Sequence, residues 1–114
     1  MTKIGEHITL DIIGTEKEYT PQLYEKVIRK IADAAKVTIL NISKHKFEPH
    51  GFTILALLAE SHISFHTFPE KGIISFDFFT CGKIKPSIAI DIIKKEFDYK
   101  RIIKKEFARD TKML

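Results

Sequence analysis

Phe52-Thr53-Ile54-Leu55-Ala56-Leu57-Leu58-Ala59-Glu60-Ser61-His62-Ile63-Ser64-Phe65-His66-Thr67-Phe68-Pro69 is the stretch on which the fold turns. Phe52 to Ala59 is an almost continuous apolar run, the pattern of a central strand covered on both faces. His62 to Phe68 reads as a second strand, ended by Pro69-Glu70-Lys71-Gly72. Ile73 to Cys81 reads as a third. Upstream, Glu48-Pro49-His50-Gly51 is a turn, and Val37 to Phe47 is rich in β-branched, alternating residues. Thr20-Pro21 marks a helix start, a capping hydroxyl followed by proline at the first helical position. That helix is expected to run to about Lys36, with Leu23, Val27, Ile31 and Ala35 as its buried stripe. His7 to Gly14 alternates as a strand. Downstream, Pro86 to Phe97 reads as a second helix, with Ile88, Ile92 and Ile93 spaced for burial, and Arg101 to Ala108 as a closing strand.

The order is strand, helix, a run of strands, helix, strand. Such a run between two helices predicts an α+β two-layer sandwich. Its sheet would be largely antiparallel, with both helices packed on one face. The other face is left to be partly polar and to line a site. The chain has 114 residues, one domain's worth, spanning 1–114 without repeat or linker. Its apolar fraction of 44% is that of a globular protein. No apolar run reaches the roughly 18 residues that a membrane helix needs. The start Met1-Thr2-Lys3-Ile4-Gly5 has no apolar signal region, and Cys81 is the one cysteine, so a cytoplasmic location is expected. The net charge of +4 is concentrated near the end, in Lys94, Lys95, Lys100, Arg101, Lys104, Lys105, Arg109 and Lys112. Acidic residues interleave with these, which fits a solvated face, and no nucleic-acid motif accompanies them. Neither a nucleic-acid nor a membrane partner is expected.

Glu60 to Glu70 concentrates serines, histidines and carboxylates between apolar strands. Strict alternation puts His62, Ser64, His66 and Phe68 on one face of their strand. Ser75, Asp77, Phe79 and Cys81 share a face of the next. Pairing of the two strands would bring a nucleophile and possible bases into one polar cleft. Exposed sheet residues and a small buried cysteine would give the same pattern. No metal site is expected, since His62 and His66 lack a third ligand.

Ala59-Glu60-Ser61-His62-Ile63-Ser64-Phe65-His66-Thr67 with Pro69-Glu70 resembles the processing segment of prokaryotic S-adenosylmethionine decarboxylase proenzymes. Phe79-Thr80-Cys81-Gly82 is similar to the family's second signature, and Gly5 and His7 to its opening strand. The resemblance covers nearly the whole chain. It implies self-cleavage between Glu60 and Ser61, giving chains 1–60 and 61–114. The Ser61 hydroxyl would attack the Glu60 carbonyl in an N-to-O acyl shift, which needs a strained or well-positioned peptide. β-Elimination and hydrolysis would then leave a pyruvoyl cofactor derived from Ser61. His66 matches the processing histidine, and Cys81 the residue that returns a proton to the α-carbon after decarboxylation through a Schiff base.

Among pocket residues, Phe47 matches an aromatic that stacks on adenine and Glu70 a carboxylate that binds ribose. Thr53 stands where the family often carries serine, keeping the hydroxyl with an added methyl. Phe68 stands where the family typically has tryptophan. That change leaves the small amino-acid-type substrate open between S-adenosylmethionine, for the polyamine spermidine, and ornithine or arginine. A homodimer of cleaved protomers is implied. A non-catalytic activating subunit is the remaining reading, against which Ser61, His66 and Cys81 all stand intact.

Overall fold

A computed structural model describes residues 3–81 and 84–110. Six strands and two helices follow the expected order. They are β1 (Lys3–Ile13), α1 (Pro21–Ala35), β2 (Ile39–Lys46), β3 (Phe52–Leu58), β4 (Ser61–Phe68), β5 (Ile73–Cys81), α2 (Ile88–Glu96) and β6 (Arg101–Asp110), with a 3-10 turn, Pro69–Lys71, between β4 and β5. The strands form one sheet in the order β2-β3-β4-β5-β1-β6, and every neighbouring pair is antiparallel. The architecture is therefore the two-layer α+β sandwich that the pattern predicts. No helix among the described residues is long and apolar enough to cross a membrane.

Alternation decides which side chains face the helices. Ile8, Leu10 and Ile12 of β1, Ile54, Ala56 and Leu58 of β3, Ile63 and Phe65 of β4, and Ile74, Phe76 and Phe78 of β5 are all buried. Full burial of each large side chain stabilises the fold by about 1.5–3 kcal/mol. Helix α1 starts as expected: the Leu23 N–H donates to the Thr20 hydroxyl, and Pro21 opens the helix. Its buried stripe is wider than the four-residue steps suggest and takes in Tyr24, Ile28 and Ala32. Tyr24 is the hinge of the core's aromatic cluster, edge-on to Phe52 at 4.9 Å and to Phe65 at 5.1 Å. Burial pushes its hydroxyl far above the ordinary tyrosine range. Lys30 and Glu96 pair between the two helices. Asp98, just beyond α2, accepts from the Tyr19 hydroxyl and from the Glu16 N–H (2.8 Å), which ties the β1–α1 connection down.

Two expectations are corrected. Ile88 opens α2 at the helix end and is exposed, and Ile92 is half-buried, so α2 buries Ala89 and Ile93 in place of the expected Ile88, Ile92 and Ile93, and Leu23 of α1 is likewise only half-buried. Strand β3 is not covered on both faces. It lies second from the β2 edge, and Leu55 and Leu57 are about half exposed. Both helices sit on one side of the sheet, so an apolar run that reads as doubly buried leaves its alternate side chains bare. Smaller differences lie at element ends: β1 and β6 are longer than expected, and α2 and β2 shorter. Of the quoted signature, Gly82 lies outside the described residues, as does Lys112 of the basic set.

Candidate functional site

The helix-free face of the sheet carries His62, His66, Asp77 and Cys81, ordered by strand register. His62 of β4 lies opposite Phe79 of β5, Ser64 opposite Asp77, and His66 opposite Ser75. On the other side of β5, His7 faces Phe79, Thr9 faces Asp77, and Asp11 faces Ser75. The shared polar face expected from alternation therefore forms, and β1 extends it.

At one end of this face β3 and β4 are joined by the two-residue loop Ala59-Glu60, closed by the pair Leu58 and Ser61. Glu60 has φ 62°, the left-handed region that side-chain-bearing residues seldom occupy. Ser61 is buried and opens β4. Continuing the β4–β5 register sets Ser61 against Thr80, one residue from Cys81. Cys81 in turn lies opposite Gly5. A Cβ on Gly5 would come within 2.3 Å of the Thr80 carbonyl oxygen and 2.7 Å of the Phe79 ring, so only glycine admits that ring. Phe79 stacks on His62 with centroids 5.8 Å apart, and the Arg109 guanidinium sits over the same ring at 5.3 Å. The Thr80 hydroxyl donates to the Ile84 carbonyl at 2.8 Å, fixing the chain as it leaves β5.

At the other end, Thr53 and His66 face each other across β3 and β4, and the Thr53 hydroxyl is 2.9 Å from His66 Nδ1. Phe68 closes β4 and is 39% exposed, with the Lys71 ammonium 5.9 Å from its ring. Glu70 is exposed on the 3-10 turn. Phe47 follows β2 and is 48% exposed, beside the His45 ring at 4.9 Å. Its N–H donates to the Gly51 carbonyl, which holds the β2–β3 turn.

The structure thus sorts the predicted residues into two groups. Glu60, Ser61 and Cys81 lie at one end; Phe47, Thr53, His66, Phe68 and Glu70 lie at the other. Ser61 and His66 are five residues apart on one strand, about 17 Å at the rise of an extended chain. An odd spacing also puts them on opposite faces. One protomer does not bring them together.

Two polar pairs between the ends were not foreseen. His7 Nε2 is hydrogen bonded to Asp77 Oδ1, with the His7 ring 5.1 Å from Phe107. The Ser75 hydroxyl donates to Asp11 Oδ1 at 3.0 Å. A signal for them existed: His7 and Asp11 alternate with the buried Ile8, Leu10 and Ile12 and so share the face that carries Ser75 and Asp77.

Comparison with known proteins follows the same lines. The family model for S-adenosylmethionine decarboxylase matches residues 6–110. An S-adenosylmethionine decarboxylase proenzyme 2 of Bacillus cereus is 42% identical over 92 residues, covering 78% of this chain and 75% of its own. An S-adenosylmethionine decarboxylase proenzyme from Prochlorococcus marinus (strain MIT 9211) is 39% identical over 114 residues, covering 97% and 93%. The crystal structure of the adenosylmethionine decarboxylase from Aquifex aeolicus VF5 superposes with a TM-score of 0.84 at 33% identity, over 96% of this chain and 93% of that one. With a family match along almost its whole length, the chain belongs to the S-adenosylmethionine decarboxylase family.

Proposed function

We propose that this chain is a proenzyme that cuts itself between Glu60 and Ser61 and then decarboxylates S-adenosylmethionine as a cytoplasmic homodimer, supplying aminopropyl groups for polyamines such as spermidine. The observation that carries the reading is the position of the Glu60–Ser61 peptide. It lies in a tight hairpin turn with a left-handed residue at its carbonyl side, one residue across the sheet from Cys81.

Chain topology suits cleavage there. Residues 1–60 hold β1, α1, β2 and β3, and residues 61–114 hold β4, β5, α2 and β6. Because β1 lies between β5 and β6, the two fragments interleave in one sheet and stay joined after the cut. The Ser61 oxygen attacks the Glu60 carbonyl carbon, the peptide C–N bond breaks, and Glu60 is held as an ester. Loss of the Ser61 α-proton expels the Glu60 carboxylate, and water then displaces ammonia to leave a pyruvoyl group at residue 61.

Residues around Ser61 fit that group. Ser61 is buried at a strand end; in strand register Cys81 lies one residue from its partner Thr80, and the stacked pair His62 and Phe79 is the next rung of the ladder. When present, the pyruvoyl group supplies an electron sink for the departing carboxylate. Cys81 holds the proton that the α-carbon regains. Phe47 and Glu70 read the adenine and the ribose, and Phe68 offers a smaller ring than tryptophan beside them.

The 17 Å between Ser61 and His66, about the length of five extended residues, gives the dimer a chemical role. His66, steadied by Thr53, would serve the Ser61 of a second copy, and the partner would likewise lend Phe47, Phe68 and Glu70. The open face supports such pairing: Leu55, Leu57, Ile103 and Phe107 leave it with large exposed apolar side chains.

The test is to incubate purified protein with carboxyl-labelled S-adenosylmethionine, ornithine and arginine. Two fragments on a denaturing gel, with carbon dioxide released from S-adenosylmethionine alone, are expected. Activity in a chain that stays whole would contradict the pyruvoyl reading. Turnover of ornithine or arginine in its place would reassign the substrate and implicate Phe68.

A further inference from the structure

Gly14 after β1, Gly51 between β2 and β3, and Gly72 between β4 and β5 have φ of 83°, 84° and 64°. At each of these reversals the sequence supplies the residue that takes a positive φ without strain. Among the described residues, positive φ falls on a residue with a side chain at Lys36, the αL cap of α1, and at Glu60. The Ala59-Glu60 loop is unusual in a second way. Two-residue hairpin loops favour turns with positive φ at the first loop position, which match the twist of the strands. Here positive φ falls on the second position, the pattern of a type II turn, which ordinarily takes glycine or asparagine there. Both ends of the loop are pinned: Leu58 and Ser61 pair across it, and the Ala59 N–H donates to the Thr38 carbonyl at 3.0 Å. A strained conformation persists only where its surroundings over-determine it, and these contacts do so.

We propose that the left-handed backbone of Glu60 is part of the cleavage machinery, so that Glu60 is a positioning residue whose strain is discharged when its bond to Ser61 breaks. The inference rests on the self-cleavage reading above. In the first step the Ser61 oxygen bonds to the Glu60 carbonyl carbon, the C–N bond breaks, and the hydroxyl proton goes to the Ser61 nitrogen. No oxidant or reductant enters. Once that bond is gone, Glu60 is held only through its ester to the Ser61 oxygen, on a longer and more flexible link, and is free to leave the left-handed region; elimination then makes it a chain end. Strain therefore raises the intact peptide more than the state in which the bond has parted, and it speeds the cut.

The experiment makes full-length chains in a cell-free system and follows fragment appearance on denaturing gels. Strain at position 60 decreases in the order valine, glutamate, asparagine, glycine. Cleavage is expected to slow in that order. Glu60→Gly should be about fivefold to thirtyfold slower than wild type, the factor that relief of one strained residue gives. Lys36→Gly relieves the other left-handed residue, which is not part of the peptide that is cut, and should cleave at the wild-type rate. Should Glu60→Val fail to fold, Glu60→Asn and Glu60→Gly still order the series. Equal rates for glutamate, asparagine and glycine, or a faster Glu60→Gly, overturn the inference. A Lys36→Gly chain slowed as much as Glu60→Gly overturns it too, by assigning the effect to global stability. A wild-type chain that never cuts contradicts the self-cleavage reading, whereas a wild-type chain that cuts no faster than Glu60→Gly contradicts this inference alone.

Discussion

The two ends of the open sheet face are built differently. At the Ser61 end, position is set by backbone: a pinned hairpin loop, a glycine that admits the Phe79 ring, and the register that leaves Cys81 one residue from the Ser61 partner. At the His66 end, position is set by side chains. Thr53 steadies His66, while Phe47, Phe68 and Glu70 stand exposed at strand ends and turns. The proposed cut at Glu60–Ser61 suits a fixed, strained peptide. A pocket that must admit and release a molecule needs exposed groups on short connections. Each end holds half of the proposed chemistry, and the distance along β4 keeps the halves of one chain apart.

Substitutions at the two ends should therefore separate self-cleavage from substrate handling. The largest effect after loss of Ser61 itself is expected at Cys81. Cys81→Ala should still yield the two fragments but lose about a hundredfold to ten-thousandfold in carbon dioxide release, the usual contribution of a positioned acid. Full turnover in that variant would leave Cys81 as a packing residue. A smaller effect is expected at the far end. Phe47→Ala and Glu70→Gln should cleave normally and raise KM for S-adenosylmethionine. The loss for Phe47→Ala is about 5- to 150-fold, since stacking a base on an aromatic ring is worth about 1–3 kcal/mol. Cleavage lost along with binding in either variant would erase the distinction between the ends.

Much of this arrangement is legible in the chain. Alternation alone places Ser64 and His66 with Asp77 and Ser75, because a period of two leaves a paired strand no other choice. The capped start of α1 is legible for the same local reason: Thr20-Pro21 needs no tertiary contact to act. The bare side of β3 is not, because Leu55 and Leu57 are apolar whether a helix, a second sheet or solvent covers them. Neither is the separation of Ser61 from His66. A short motif invites the reading that its residues act together, yet five residues of strand span more than a hydrogen bond can reach. The left-handed Glu60 is hidden for a further reason: the loop that needs glycine or asparagine holds Ala59 and Glu60.

The central claim is that Ser61 of one copy is served by His66 of another. Trans-complementation tests it most directly. A tagged His66→Ala chain, made alone, should cut itself about a hundredfold to ten-thousandfold more slowly than wild type. Co-expressed with an untagged Ser61→Ala chain, which retains His66 but has no hydroxyl to attack, it is predicted to be cut into fragments 1–60 and 61–114. A tagged chain that stays whole while co-purifying with the Ser61→Ala partner would contradict the account.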